Sequence, residues 1–228
     1  MLEDALSLLE SNEKPFQDEK DNNNKKSTLW NKNDFQPEKI DVNKMDRKEK
    51  SYTIAYAHDH KSLTDEQTEF LLKLSVALNN KGYTFRTMCG SQDLLQNNIV
   101  KSEGLKSKIF LPWKSFNQDI KKPYMCYPEE AAFNKACAYH KVYNSLPPTI
   151  RSILATTVTM LLDKSYTNPA SFLICYSECG SETIKKGVDF KKLGNLGFIF
   201  GVCKDANIPV FNINNKESVN RLMEKIKE

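Results

Sequence analysis

From Ser51 onward, short apolar runs alternate with stretches in which apolar residues recur every three or four positions. Tyr52-Thr-Ile-Ala-Tyr-Ala57 is rich in β-branched and aromatic residues and predicts a buried strand. Thr64 followed by Gln67 predicts a capped helix start, and Phe70, Leu71, Leu74, Ala77 and Leu78 give that helix its apolar stripe. Asn80-Lys81-Gly82 predicts its end through a glycine cap. Further strands are predicted at Tyr83–Met88, Lys108–Pro112, Ser171–Tyr176 and Ile208–Asn212. Further helices are predicted at Leu94–Lys101, Glu129–Tyr143, Thr149–Leu162 after Pro147-Pro148, Gly197 to about Ala206, and Lys216–Lys227. Strands alternating with helices at this spacing imply a mainly parallel sheet covered on both faces, a Rossmann-like three-layer α/β/α sandwich over residues 51–228.

The first 50 residues read differently. Leu2, Leu6 and Leu9 share one helical face, which predicts a short helix over 2–10, too short to be stable alone. From Ser11 to Lys50 the chain is dominated by Asn, Lys, Asp and Glu, a composition expected to be a disordered arm, with Trp30 and Phe35 as isolated aromatics. Residues 1–50 carry 10 basic and 12 acidic groups, whereas residues 51–228 carry 23 and 17. The folded part is therefore mildly cationic, compatible with an anionic ligand but without the basic stripe of a nucleic-acid coat.

No apolar run is long enough to span a bilayer, and Glu3 and Asp4 stand where a signal peptide would be basic. The six cysteines form no Cys-x-x-Cys pair and read as small buried thiols in a reducing cytoplasm. These features exclude a membrane-spanning chain, a collagen-like fibre and a secreted disulfide scaffold.

In parallel sheets ligands sit beyond the carboxyl ends of the strands. Three loops are expected there: His58-Asp59-His60, Cys89-Gly90-Ser91-Gln92-Asp93, and Gly194-Asn195-Leu196-Gly197. Glycines let backbone approach a phosphate, and the first-turn amides of the following helix bind it. Gly90, Ser91, Asp93, Gly194, Asn195 and Gly197 are the expected ligand contacts. Arg86 either supplies charge to the ligand or stands as a cation at a sheet end, and Trp113 either stacks on a base or sugar or packs at the sheet rim. His58, Asp59 and His60 have the chemistry of metal ligands but lack further partners, so no metal and no cofactor are expected.

Several segments resemble the phage-encoded branch of the SLOG superfamily, the Rossmann-like nucleotide-binding proteins related to DNA-processing protein A and to the LOG phosphoribohydrolases. Gly82-Tyr-Thr-Phe-Arg86 resembles the family's Gly-Tyr-Thr-Leu-Arg strand, and Ile109-Phe-Leu-Pro-Trp-Lys-Ser-Phe-Asn117 its Ile-Tyr-Leu-Pro-Trp-Lys-Gly-Phe-Asn block. Ile150–Leu162 resembles the family helix that carries Ala-Arg-Asn, and Leu193–Asn212 its glycine loop, helix and Ile-Pro-Val-Phe-Asn strand. The chain departs from the pattern at Cys89–Asp93, where most of the glycines are replaced, and at Ala155-Thr156-Thr157, where the arginine is lost. Asn195 and Leu196 replace a glycine and a threonine, and the Pro-Gly-Gly-x-Gly-Thr-x-x-Glu motif of the phosphoribohydrolases is absent.

The resemblance implies a binding module for a nucleotide-like or ADP-ribose-like phosphate ligand, working in an infected cell's cytoplasm. Two alternatives stand beside it. One is hydrolysis of a nucleotide or N-glycosidic bond with Asp93 or Asp59 as base and His58 as acid. The other is an interaction protein whose arm recruits a host or virion protein. A homo-oligomer is compatible with either; a membrane or nucleic-acid partner is not expected.

Overall fold

The computed structural model describes residues 35–58, 63–88, 94–102, 104–114, 116, 125–184 and 193–227. Among the described residues six strands form one all-parallel sheet: β1 (Ser51–Tyr56), β2 (Thr84–Thr87), β3 (Ser107–Phe110), β4 (Met125–Cys126), β5 (Phe172–Tyr176) and β6 (Val210–Asn212). Their order is β4-β3-β2-β1-β5-β6. The α-helices are α1 (Asp65–Asn80), α2 (Leu94–Lys101), α3 (Glu130–Tyr139), α4 (Pro148–Leu162), α5 (Leu196–Asp205) and α6 (Lys216–Lys227). The chain steps outward from β1 to β4, then returns to the other side of β1 for β5 and β6. Because parallel crossovers are right-handed, this reversal puts α1 and α2 on one face and α5 on the other. The expected α/β/α sandwich is therefore the architecture found.

Local chemistry explains several boundaries. Thr64 accepts the Gln67 amide at 3.2 Å while the Gln67 side chain accepts the Thr64 amide at 3.0 Å, completing the capping box of α1. At its other end Gly82, at φ +82°, donates to the Asn79 carbonyl and Tyr83 donates to that of Leu78, a Schellman closure. Pro148 occupies the first turn of α4, where no amide is missed.

Each face has its own core. Tyr52, Phe85, Phe172 and Phe211 form a cross-strand aromatic ladder, with ring centroids 5.2–6.0 Å apart, beneath α1, α2 and α6. On the opposite face α4 is buried around its whole circumference from Ile150 to Leu162, between the sheet, α3 and α5. Its buried Thr156, Thr157 and Thr159 donate their hydroxyls to the carbonyls one turn back, at 2.7–3.0 Å, so no partner from outside the helix is needed.

The structure corrects the sequence reading in three places. β4 was not foreseen, because two residues make no pattern; only pairing with Ile109 and Phe110 defines it. The helix predicted to reach Tyr143 ends at Tyr139, and a separate 3-10 turn, Tyr143–Ser145, follows. Residues 35–50, expected as part of a disordered arm, form an ordered strap across the α3–α4 face. Phe35 is 3% exposed, stacked on Phe133 at 5.0 Å and edge-on to Tyr143 at 6.0 Å. Its amide donates to Asn144 Oδ1 at 3.1 Å and its carbonyl accepts Asn144 Nδ2 at 3.2 Å. Ile40 is buried further along, Glu38 pairs with Lys135 at 2.5 Å, and the Asp46 amide donates to the Thr167 carbonyl at 2.6 Å. A few apolar anchors hold a segment whose average composition is polar. Trp30 and the helix predicted at 2–10 lie outside the described residues.

Because Phe35 fills core volume, Phe35→Ala is expected to lower unfolding free energy by about 3 kcal/mol in urea denaturation. A change of under about 0.5 kcal/mol, the range of ordinary surface substitutions, would mean that the strap is not part of the core.

Candidate functional site at the carboxyl edge of the sheet

Strand order reverses between β1 and β5, the place beyond whose carboxyl ends parallel sheets bind their ligands. The Ala57 amide donates to the Tyr176 carbonyl at 2.9 Å, continuing the β1–β5 pairing to the rim. There the turn before α5 lies directly on β1: the Asn195 amide donates to the Ala57 carbonyl at 3.0 Å. Gly194 has φ +46°, and a Cβ placed on it would lie 1.8 Å from that carbonyl oxygen and 3.2 Å from His58 Nδ1. Only glycine permits both the conformation and the contact. The exposed His58 and the Gly194 turn therefore converge, as the sequence suggested.

The other candidates divide. Gly197 lies in the first turn of α5, and Trp113 lies just beyond the carboxyl end of β3. Trp113 is half-buried, edge-on to Phe116 at 5.1 Å and packed on the core, two strand spacings or roughly 10 Å from β1. The Asn195 amide, expected to meet a phosphate, is instead occupied by Ala57, and the Asn195 side chain caps nothing. Asp59, His60, Gly90, Ser91 and Asp93 lie outside the described residues. α2 nonetheless begins at this edge: buried Gln96 bonds the Thr87 hydroxyl and donates to the Ile54 carbonyl at 3.4 Å.

Arg86 does not face the carboxyl edge. It is 0% exposed, and its guanidinium points to the amino edge of the sheet. There it donates to the Asn168 carbonyl at 3.0 Å and lies 3.4 Å from both Glu49 and Asp163. Lys108 joins the same two carboxylates at 2.7 and 3.1 Å. Asp163 terminates α4 at φ +62°, a strained conformation for a residue with a side chain, held where its carboxylate meets both cations. Burial pushes the Glu49 carboxyl up, but Lys108 and Arg86 outweigh it and hold it below its ordinary value of 4.5. Asp163 behaves alike: burial raises it, and the Lys164 amide, Arg86 and Lys108 bring it below 3.8.

Sequence reasoning missed a polar staple at the far side of the edge. The fully buried Asn212 side chain donates to Ser177 Oγ and to the Ser181 carbonyl, each at 2.8 Å. Asn214 donates to the carbonyls of Ser177 and Glu178 at 3.3 and 2.9 Å. The Asn212-Ile-Asn214-Asn215 run after a strand was the available signal. Cys179 in this loop is exposed, correcting the reading of the cysteines as buried, which holds for Cys126, Cys175 and Cys203. Burial works to raise the Cys179 thiol, but hydrogen bonds from Ser177 and Ser181 and from its own amide outweigh it and hold it below 9.0.

Among the described residues no group of three or more His, Cys, Asp or Glu is placed to hold a metal ion, and no helix is long and apolar enough to cross a membrane. Fold and edge together define a doubly wound, all-parallel α/β protein whose strand order switches between β1 and β5. The chain matches no family model, no curated protein and no solved structure.

Gly194→Ala is expected to destabilise far more than Gly82→Ala, whose Cβ would meet nothing within 4 Å and whose cost is about 1–2 kcal/mol of backbone strain. Equal melting temperatures for the two variants would contradict the close approach. The lowered Glu49 and Asp163 carboxyls add stability that is present above pH 4.5 and lost as pH falls through their folded-state values. Glu49→Gln is therefore expected to be less stable at neutral pH and to show a flatter acid limb in chemical denaturation. An unchanged slope would remove Glu49 from the acid response.

Proposed function

We propose that the chain is a SLOG-like Rossmann binding module that takes a nucleotide-like or ADP-ribose-like phosphate ligand in the crevice between the ends of β1 and β5. The observation that carries this reading is the Gly194 turn seated on the Ala57 carbonyl at the point where strand order reverses. That seating sets the start of α5 over the crevice, where a helix dipole and first-turn amides favour an anion. His58 stands beside the turn, and the base or sugar lies toward Trp113. Arg86 is excluded from the ligand's charge balance by its own ion pairs. In the phage setting that the resemblance implies, such a module sequesters or senses a nucleotide of the infected cell.

Thermal denaturation of the full chain with ATP, ADP, AMP, ADP-ribose, NAD and cyclic nucleotides tests this. A ligand at 100 times its Kd adds about 2.7 kcal/mol, roughly 5–10 °C for a domain of this size. The shift is expected to shrink in His58→Ala. No shift with any of these compounds overturns the reading.

A further inference from the structure

A groove of about 670 Å³ opens on the outer side of the α3–α5 layer, lined among others by Pro37, Tyr139, Val142, Ile184, Gly197 and Gly201. Gly197 and Gly201 are four apart on one face of α5 and leave part of its floor without side chains. The Tyr139 ring lies against that floor, 3.1 Å from where a Cβ on Gly201 would stand, and its hydroxyl is tied to Asp205 at 3.0 Å. Val142 and Ile184, 57% and 44% exposed, form an apolar rim.

We propose that this groove takes the chain's own amino-terminal segment, with Leu2, Leu6 and Leu9 laid along it as an amphipathic helix. Three observations select this occupant. The described chain begins at Phe35, whose backbone is bonded to Asn144, itself a groove residue, and Pro37 lines the groove, so residues 1–34 depart from its rim. The 24 residues from Ser11 to Asp34, at up to about 3.3 Å each, are ample to bring the leucines back. Charge is complementary: residues 1–10 contain Glu3, Asp4 and Glu10 and no Lys or Arg, while the groove lining includes Lys141 and no carboxylate among the described residues. Leucines at i, i+4 and i+7 are the spacing by which a helix enters an apolar groove. Tethering makes the encounter intramolecular, at an effective concentration in the millimolar range for a short tether. Because Gly197 belongs to both places, a docked segment would lie beside the first turn of α5.

The test uses the full chain with a benzophenone amino acid in place of Leu6, irradiated at low protein concentration and mapped by mass spectrometry. Crosslinks within one chain to the peptides holding Tyr139–Ser145 or Ile184 are expected, and Val142→Asp, at an exposed position, should abolish them. In parallel, amide exchange at residues 139–145 and 197–201 should speed up several-fold when Leu2, Leu6 and Leu9 are all changed to Asp. Crosslinks only between chains, crosslinks elsewhere, or unchanged exchange in the triple variant would each overturn the proposal.

Discussion

Arg86 has no exposed surface, and a guanidinium removed from water is tolerated only when its charge is met inside the protein. Glu49 from the strap and Asp163 from the end of α4 meet it, and Lys108 from β3 balances the two carboxylates. One cluster thus ties four parts of the chain to the amino edge of the sheet. Removing any one member would leave an uncompensated charge in a confined place, so these parts hold their positions together. The strain accepted at Asp163 reflects the same demand.

The opposite edge is organised by close approach instead of charge. Gly194 brings the turn before α5 onto the Ala57 carbonyl, and the Asn212 side chain joins the loops after β5 and β6. The amino edge is thus fixed by ion pairs and the carboxyl edge, where strand order switches between β1 and β5, by close-fitting backbone. This division also explains why Arg86, one residue before the end of β2 and close in sequence to Cys89–Asp93, takes no part there. A long side chain on a strand can reach either edge, and the carboxylates decide which.

The strap shows where composition misleads. Across residues 35–50 charged and polar positions dominate, yet Phe35 and Ile40 are buried and Glu49 enters the ion cluster. Averaged over the whole arm, these anchors disappear. A boundary drawn at Ser51 would cut through the core and strip Arg86 of one of its two carboxylates. β4 escaped for a related reason, since its two residues acquire strand identity only from β3.

Local patterns were enough for the alternation of strands and helices that implies a mainly parallel α/β/α sandwich, the capping box at Thr64 and Gln67 and the Gly82 closure, because each depends on residues within a few positions of one another. The meeting of His58 with Gly194 also followed, through the rule that loops at strand ends share an edge. Tertiary structure alone decided the edge to which Arg86 turns, the burial of Phe35, the exposure of Cys179 and the reach of Asn212 to Ser177 and Ser181. Each of these hangs on partners distant along the chain. Whether a charge is paired or a ring covered depends on what the fold brings beside it, which no local window contains.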